Sequence, residues 1–326
     1  MSKRRGKALA LLLLIGPLIW AVVVGITPWP LAAFFYGLEP VPDESPENAE
    51  EVCSIRDWEI SESSGLAASL RYPGYFWTHN DSGDEPRLFL VDRFGETRAV
   101  VKVLGEATDW EDMCCFQHAD QNWLLIGDVG DNSETRGGSR PPCSLIMLPE
   151  PLVKPGAIGS PPHQISRPAH YQWKFRYPSG RPDCESIAAD PDNNRVLLLT
   201  KAAPGQAMLY SLPLSLRRSV GTRTATEVCQ LPVPWATAMD ISPGGRRMVI
   251  VNPLSGVLFD RDPGQSWEDA IAGSGSVLTL PLRRQGETAC FENERSVIVG
   301  SEGRWQLLWR VQLQELASTG TDQPQN

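Results

Sequence analysis

Apolar positions in this chain follow two patterns. Residues 8–38 carry no charge, and 8–26 (ALALLLLIGPLIWAVVVGI) is almost wholly apolar. From position 52 onward, apolar residues come in short runs broken by Gly, Pro, Asn and Asp. The first pattern is long enough for a helix of about 20 residues that spans a bilayer. The second predicts short β-strands joined by turns. No stretch between 52 and 312 keeps a helical apolar period.

The short runs repeat. SGLAAS at 64–69 matches EDMCCF at 111–116, ESIAAD at 185–190, ETACFE at 287–292 and, more weakly, TAMDIS at 237–242. Each is followed by a turn and a second apolar run: GYFWT at 74–78, NWLLIG at 122–127, RVLLLT at 195–200, RRMVIV at 246–251 and RSVIVG at 295–300. A third run follows at 87–91, 144–148, 207–211, 256–259 and 306–310. The units start at 64, 111, 185, 237 and 287, at intervals of 47, 74, 52 and 50 residues. Several strands per unit at that period indicate propeller blades. The 74-residue interval holds a Pro-rich insertion at 149–169, which hides either a loop or part of another blade. The expected fold is an all-β propeller of five or six blades, the long interval favouring six, behind an N-terminal transmembrane helix. Residues 52–60 would supply the outer strand that closes the ring. The competing architecture, a β-sandwich plus a second β domain, does not account for a unit that recurs five times.

This divides the chain into a basic stub and anchor (1–38), an acidic, Pro-containing tether (39–51), the propeller (52–313) and a polar tail (314–326). Lys3, Arg4, Arg5 and Lys7 precede the apolar stretch and no charge follows it until Glu39. That asymmetry predicts the N-terminus inside and the propeller outside a bacterial-type cytoplasmic membrane, with residues 8–26 in the bilayer. The rival reading, a cleaved signal peptide, lacks a small-x-small site directly after the apolar run.

Composition sharpens the picture in three places. Gly and Pro number 28 each, which suits many turns. From Glu39 onward 26 basic residues face 39 acidic ones, a net −13. That balance excludes a nucleic-acid backbone as partner and is compatible with cations, although solubility alone would also produce it. The seven cysteines have no metal-finger spacing, and Cys114 and Cys290 align with Ala67 and Ala188 in the small apolar slot of the first run.

Five motifs carry a resemblance: WTHNDSG at 77–83, DWED at 109–112, GDVGDN at 127–132, DCES at 183–186 and AMDISP at 238–243. Over about residues 60 to 310 the chain resembles a group of uncharacterised bacterial membrane-anchored β-propeller proteins. More distantly it is similar to the phytase-like and the gluconolactonase/senescence-marker propellers. The resemblance implies metal ions such as Ca²⁺ among carboxylates at the channel or top face, but neither family's complete ligand set is matched here.

The residues themselves point the same way. Glu111, Glu185 and Glu287 hold one position in three units, so a ring of blades would bring them together. Converging like charges need a cation or raised pKa values; alternatively, each Glu makes a structural hydrogen bond between blades. The loop His79-Asn80-Asp81 follows a strand and either forms a turn or contributes an acid/base imidazole and a metal ligand. Asp128, Asp131 and Asn132 alternate with glycines as in oxygen-donor metal loops, without the EF-hand pattern. The expected metal ligands are therefore Asp81, Glu111, Asp128, Asp131, Glu185 and Glu287. His79, Glu111 and Glu185 are the acid/base candidates. Asn80, Asp112, Asn132, Lys201, Asp240 and Glu302 are the polar groups expected to meet a ligand. Oxygen donors of this kind suit Ca²⁺ rather than Zn²⁺.

Two functions fit: a module that binds an as yet unnamed ligand or protein through a carboxylate-lined top face, or a metal-dependent hydrolase of a small ester, lactone or phosphate. A phosphate substrate would want basic groups beside the metal, and only Lys201 and Arg304 are offered.

Overall fold

The computed structural model describes residues 46–81, 83–105, 108–130, 142–178, 180, 182–217, 221–283 and 285–316. The stretch 8–26, together with Asp131 and Asn132, lies outside the described residues. No helix among the described residues is long and apolar enough to cross a membrane.

Five mostly antiparallel sheets make five blades. The chain enters on β1 (Ala49–Ser54) and then builds blade I from β2 (Ser63–Ala68), β3 (Tyr75–Asn80), β4 (Arg87–Asp92) and β5 (Thr97–Leu104). Blade II contains β6 (Trp110–His118), β7 (Gln121–Asp128) and β8 (Cys143–Pro149). The insertion then supplies β9 (His163–Pro168) and β10 (Tyr171–Arg176). Blade III is β11 (Cys184–Asp190), β12 (Arg195–Thr200) and β13 (Ala207–Pro213), followed by the short β14 (Thr222–Thr224) and its own outer strand β15 (Thr226–Leu231). Blade IV is β16 (Ala238–Ile241), β17 (Arg247–Val251), β18 (Gly256–Asp260) and β19 (Ser276–Leu278). Blade V is β20 (Gly286–Asn293), β21 (Ser296–Ser301) and β22 (Leu307–Gln312), with β1 paired antiparallel to β22. A strand from the start of the domain thus completes the last blade and closes the ring.

The ring has five blades, within the expected five or six, because the insertion extends existing blades and adds none. Strand β9 runs parallel along the outer edge of β5, β10 is the fourth strand of blade II, and β14 pairs parallel with β10. The closing strand begins at Ala49, inside the stretch read as tether, and ends at Ser54. One short helix, α1 (Trp267–Gly273), interrupts blade IV. Ser266 caps it, its Oγ accepting the Asp269 N–H at 3.0 Å, and Trp267 is wholly buried.

The innermost strands β2, β6, β11, β16 and β20 are neighbours around the axis. Their small residues, among them Ala67, Cys114, Ala188 and Cys290, are buried, which lets five strands converge. Cys53, Cys114, Cys115, Cys184, Cys229 and Cys290 are free thiols. The large side chains, including Trp77, Trp173 and Phe259, fill the spaces between blades. Burying each such side chain contributes about 1.5–3 kcal/mol.

Candidate cation site at the mouth of the channel

All five inner strands start at one end of the ring, and four of them start with the same irregularity. The ladder pairs Ser63 with Asn80 and Gly65 with His79, passing over Ser64. It passes over Glu111, Glu185 and Glu287 in the same way. In blade IV Thr237 precedes the ladder, its N–H bonded at 2.9 Å to the carbonyl of Val251, the partner of Ala238. Four of the five positions read from sequence as unit starts are therefore β-bulges, and Thr237 stands just before its ladder. A bulge turns a side chain away from the alternation of the strand, here toward the mouth.

The side chain at each bulge decides its use. Ser64 donates its hydroxyl to the Glu111 carbonyl at 2.5 Å, and Thr237 donates to the Gly286 carbonyl at 2.8 Å. Those two tie a blade to the next one. Glu111, Glu185 and Glu287 instead place three carboxylates where their charges act on one another, Glu185 on Glu111 and Glu287 on Glu185.

A second register adds charge. The residue after each second strand donates its N–H to the carbonyl two positions before the bulge: Asp81 to Glu62 at 2.8 Å, Val129 to Asp109 at 3.1 Å, Lys201 to Asp183 at 2.9 Å and Glu302 to Gln285 at 2.9 Å. Asp81, Asp109 and Glu111 come close enough for one oxygen of each to lie within 4.8 Å of the others. Glu111 is 1% exposed, and its Oε1 is buried with no hydrogen-bond partner. Gly130 makes the approach possible, since a Cβ there would overlap Glu111 Oε1 and lie 2.6 Å from Asp109 Oδ2. Lys201 Nζ lies 3.4 Å from Glu185 Oε2.

Burial sets the electrostatics. Burial, then the charges of Glu185, Asp81 and Asp109, push Glu111 well above the ordinary carboxylate range. Burial raises Glu185 to about 8 against the opposing pull of Lys201, and raises Glu287 to about 7. Asp183 and Glu302 also move upward, again chiefly through burial. Burial alone would lower the Lys201 ammonium, but Glu287, Glu185, Asp183 and Glu111 outweigh it and the net shift is upward. A mouth of this kind holds protons in place of the cations that its charges call for.

The other expected residues fall into place differently. His79 is fully buried, its Nδ1 2.9 Å from the Asn80 carbonyl and its ring edge-on to Trp110 at 5.4 Å. Burial pushes it down to about 4, which favours the neutral imidazole. Asn80 braces the preceding loop: its Oδ1 accepts the N–H groups of Ser61 and Glu62, and its Nδ2 donates to Glu59 O and Asp84 Oδ2. Asp128 Oδ1 accepts the Asp109 N–H at 2.9 Å and so positions a member of the acidic triad. Asp112 and Asp240 lie deeper. Asp112 accepts the N–H groups of Met113, Ile187 and Met239, and Asp240 those of Ile241 and Phe291. They pin inner strands of different blades together across the channel and leave the mouth to others.

Asp109 and Asp183 complete the mouth and were not among the expected ligands. Their signal was present: an acid two residues before the repeated Glu, in DWE at 109–111 and DCE at 183–185. A cavity of 490 Å³ opens beside the mouth, lined among others by Trp58, Glu62, Asn80, Arg87 and Arg304. Trp58 is 66% exposed.

No protein-family model and no curated protein matches this chain. Among solved structures it is similar to the PQQ-bound aldose sugar dehydrogenase of Streptomyces coelicolor, with 10% identity, 83% of this chain and 99% of that one covered, and a TM-score of 0.42. It is also similar to a gluconolactonase of Xanthomonas campestris, with 12% identity, 82% and 89% covered, and a TM-score of 0.45. Likenesses of that depth carry no chemistry across to the mouth of this propeller.

Proposed function

We propose that this chain is a cation-dependent binding module: a propeller, tethered through residues 8–26 to the outer side of a bacterial cytoplasmic membrane, that binds Ca²⁺ at its mouth and presents it to a ligand. The observation that carries this reading is the buried, unpaired Oε1 of Glu111 beside Asp81 and Asp109. An unpaired buried carboxylate oxygen costs free energy unless something positive meets it. All the donors of the triad are oxygens, which favours a hard cation over Zn²⁺. The cavity beside the mouth, with exposed Trp58 and Arg304 on its wall, gives a ligand room.

A metal-dependent hydrolase is the second reading. Glu185 is favoured in its protonated form up to about pH 8, and a proton held next to a cation could serve as a general acid.

The first experiment is metal analysis of the purified full chain in detergent, followed by melting with and without a chelator. One equivalent of Ca²⁺ and a melting temperature that falls on chelation is the expected result. Metal-free protein that melts identically in both conditions overturns the cation reading. If Ca²⁺ is bound, turnover of a panel of esters and lactones that vanishes in Glu185→Gln would favour the hydrolase over the binding module.

A further inference from the structure

The mouth is rich in acids, yet a lysine enters it at a position that brings acids from two other blades. Asp81, Lys201 and Glu302 are equivalent residues of blades I, III and V, each fixed by its N–H to the carbonyl two places before a bulge. The same backbone position therefore delivers an acid from two blades and an ammonium from the third. Lys201 Nζ sits 3.4 Å from Glu185 Oε2, with the lysine side chain 26% and the glutamate side chain 8% exposed. Lys201 is thus paired on the Glu185 side of the mouth, whereas the buried Oε1 of Glu111 has no hydrogen-bond partner and stands with Asp81 and Asp109.

We propose that Lys201 is a tethered counter-cation that occupies a second cation position, so that the mouth takes one divalent ion where its acids would otherwise take two. This rests on the cation reading above. The physical argument is one of exclusion. A divalent ion placed among Glu185, Asp183 and Glu287 would stand within a few ångströms of a fixed positive charge in a partly buried site, where repulsion is weakly screened. The lysine cannot withdraw into water without leaving those carboxylates uncompensated. On the Glu111 side the corresponding position holds Val129, which brings no charge. The chain has in this way specified both which half of the mouth is open and how many ions it accepts.

Counting ions tests this. Full-length protein in detergent is stripped with a chelator and dialysed against Ca²⁺, and bound metal is measured per chain. Wild type should hold one ion, Lys201→Met two, and Lys201→Arg one, because the arginine restores the positive charge. A wild type with two ions, or a Lys201→Met variant with one, overturns the proposal. A wild type with none instead strikes the cation reading beneath it. If Lys201→Met unfolds when stripped, Ca²⁺ should refold it with two ions bound, since the second ion replaces the lost ammonium. Failure of Ca²⁺ to restore the fold would also overturn the idea.

Discussion

In each inner strand one residue stands outside the ladder, and its identity decides what that blade does. Serine and threonine at the bulge bond to the next blade, whereas glutamate there opens a charged mouth. The repeat was legible in sequence at single-residue precision, because the bulge forces a small or acidic residue at the same place in every unit. What sequence could not separate were acids a few positions apart. Asp112 stands one residue past the bulge and is buried under three N–H donors, while Asp109, two residues before Glu111, faces that side chain. Gly130 offers the sharpest test at this scale. A methyl group there would overlap Glu111 Oε1 and crowd Asp109 Oδ2, and Gly130 needs no left-handed backbone. Gly130→Ala should therefore weaken Ca²⁺ at least about tenfold, about 1.4 kcal/mol. Melting of the metal-free protein should be nearly unchanged. Calorimetric titration measures the first and thermal melting the second; full retention of affinity would mean that the two carboxylates are not ligands.

At the scale of elements, the three inner strands of all five units were readable from their apolar runs, and their order in each blade follows from short turns; the outer strands β5, β15 and β19 were not. The insertion was not readable, because its strands attach to their neighbours by edge pairing. Strand β9 reads HQISRP and is mostly exposed, so no core-facing pattern marks it. Its pairing is set by the open edge of β5, which would otherwise present unsatisfied backbone groups. The closing strand β1 shows the same physics with a larger consequence. It is half polar, AEEVCS, yet it supplies the fourth strand of blade V through the pairs Ala49 with Val311 and Glu50 with Arg310. Arg310 reinforces the seam with bonds to Glu50 and Glu292 at 2.6–2.7 Å. Deleting residues 49–54 should expose the edge of β22 and the apolar face of blade V, and should abolish cooperative melting or drive the protein into aggregates. A deletion variant that stays monodisperse and melts within a few degrees of wild type would show that the ring does not depend on this closure.

The whole molecule stores its buried acids as protons, which makes stability depend on pH with a definite sign. Burial raises Glu185 to about 8, and Glu287 and Asp240 to about 7, and moves Glu111 and Asp112 upward as well. The folded chain therefore keeps protons that the unfolded chain releases above about pH 4.5. Stability from these groups is fully present below that pH and is lost as pH rises through 7 and 8. His79, lowered to about 4, works in the opposite direction, but only between its folded value and about 6.5. Acids held low by arginines, such as Glu268 and Glu292, contribute their stability above the ordinary carboxylate range and are already ionised here. Between pH 6.5 and 8 the raised acids act alone. At about 1.4 kcal/mol per proton per pH unit, Glu185, Glu287 and Asp240 alone should cost the metal-free fold on the order of 3 kcal/mol across that window, and Glu111 and Asp112 add to the loss. Bound Ca²⁺ takes the place of the protons, so it should flatten the decline and itself bind more tightly as pH rises. Melting curves in chelator and in excess Ca²⁺ at a series of pH values measure both effects. Asp240→Asn should remove part of the metal-free slope and leave the response to Ca²⁺ intact, because Asp240 lies below the mouth and bonds only to backbone N–H groups. A metal-free melting temperature that is flat or rises between pH 6.5 and 8 would mean that these acids are ionised in the native state. The mouth would then already be compensated by charges within the chain.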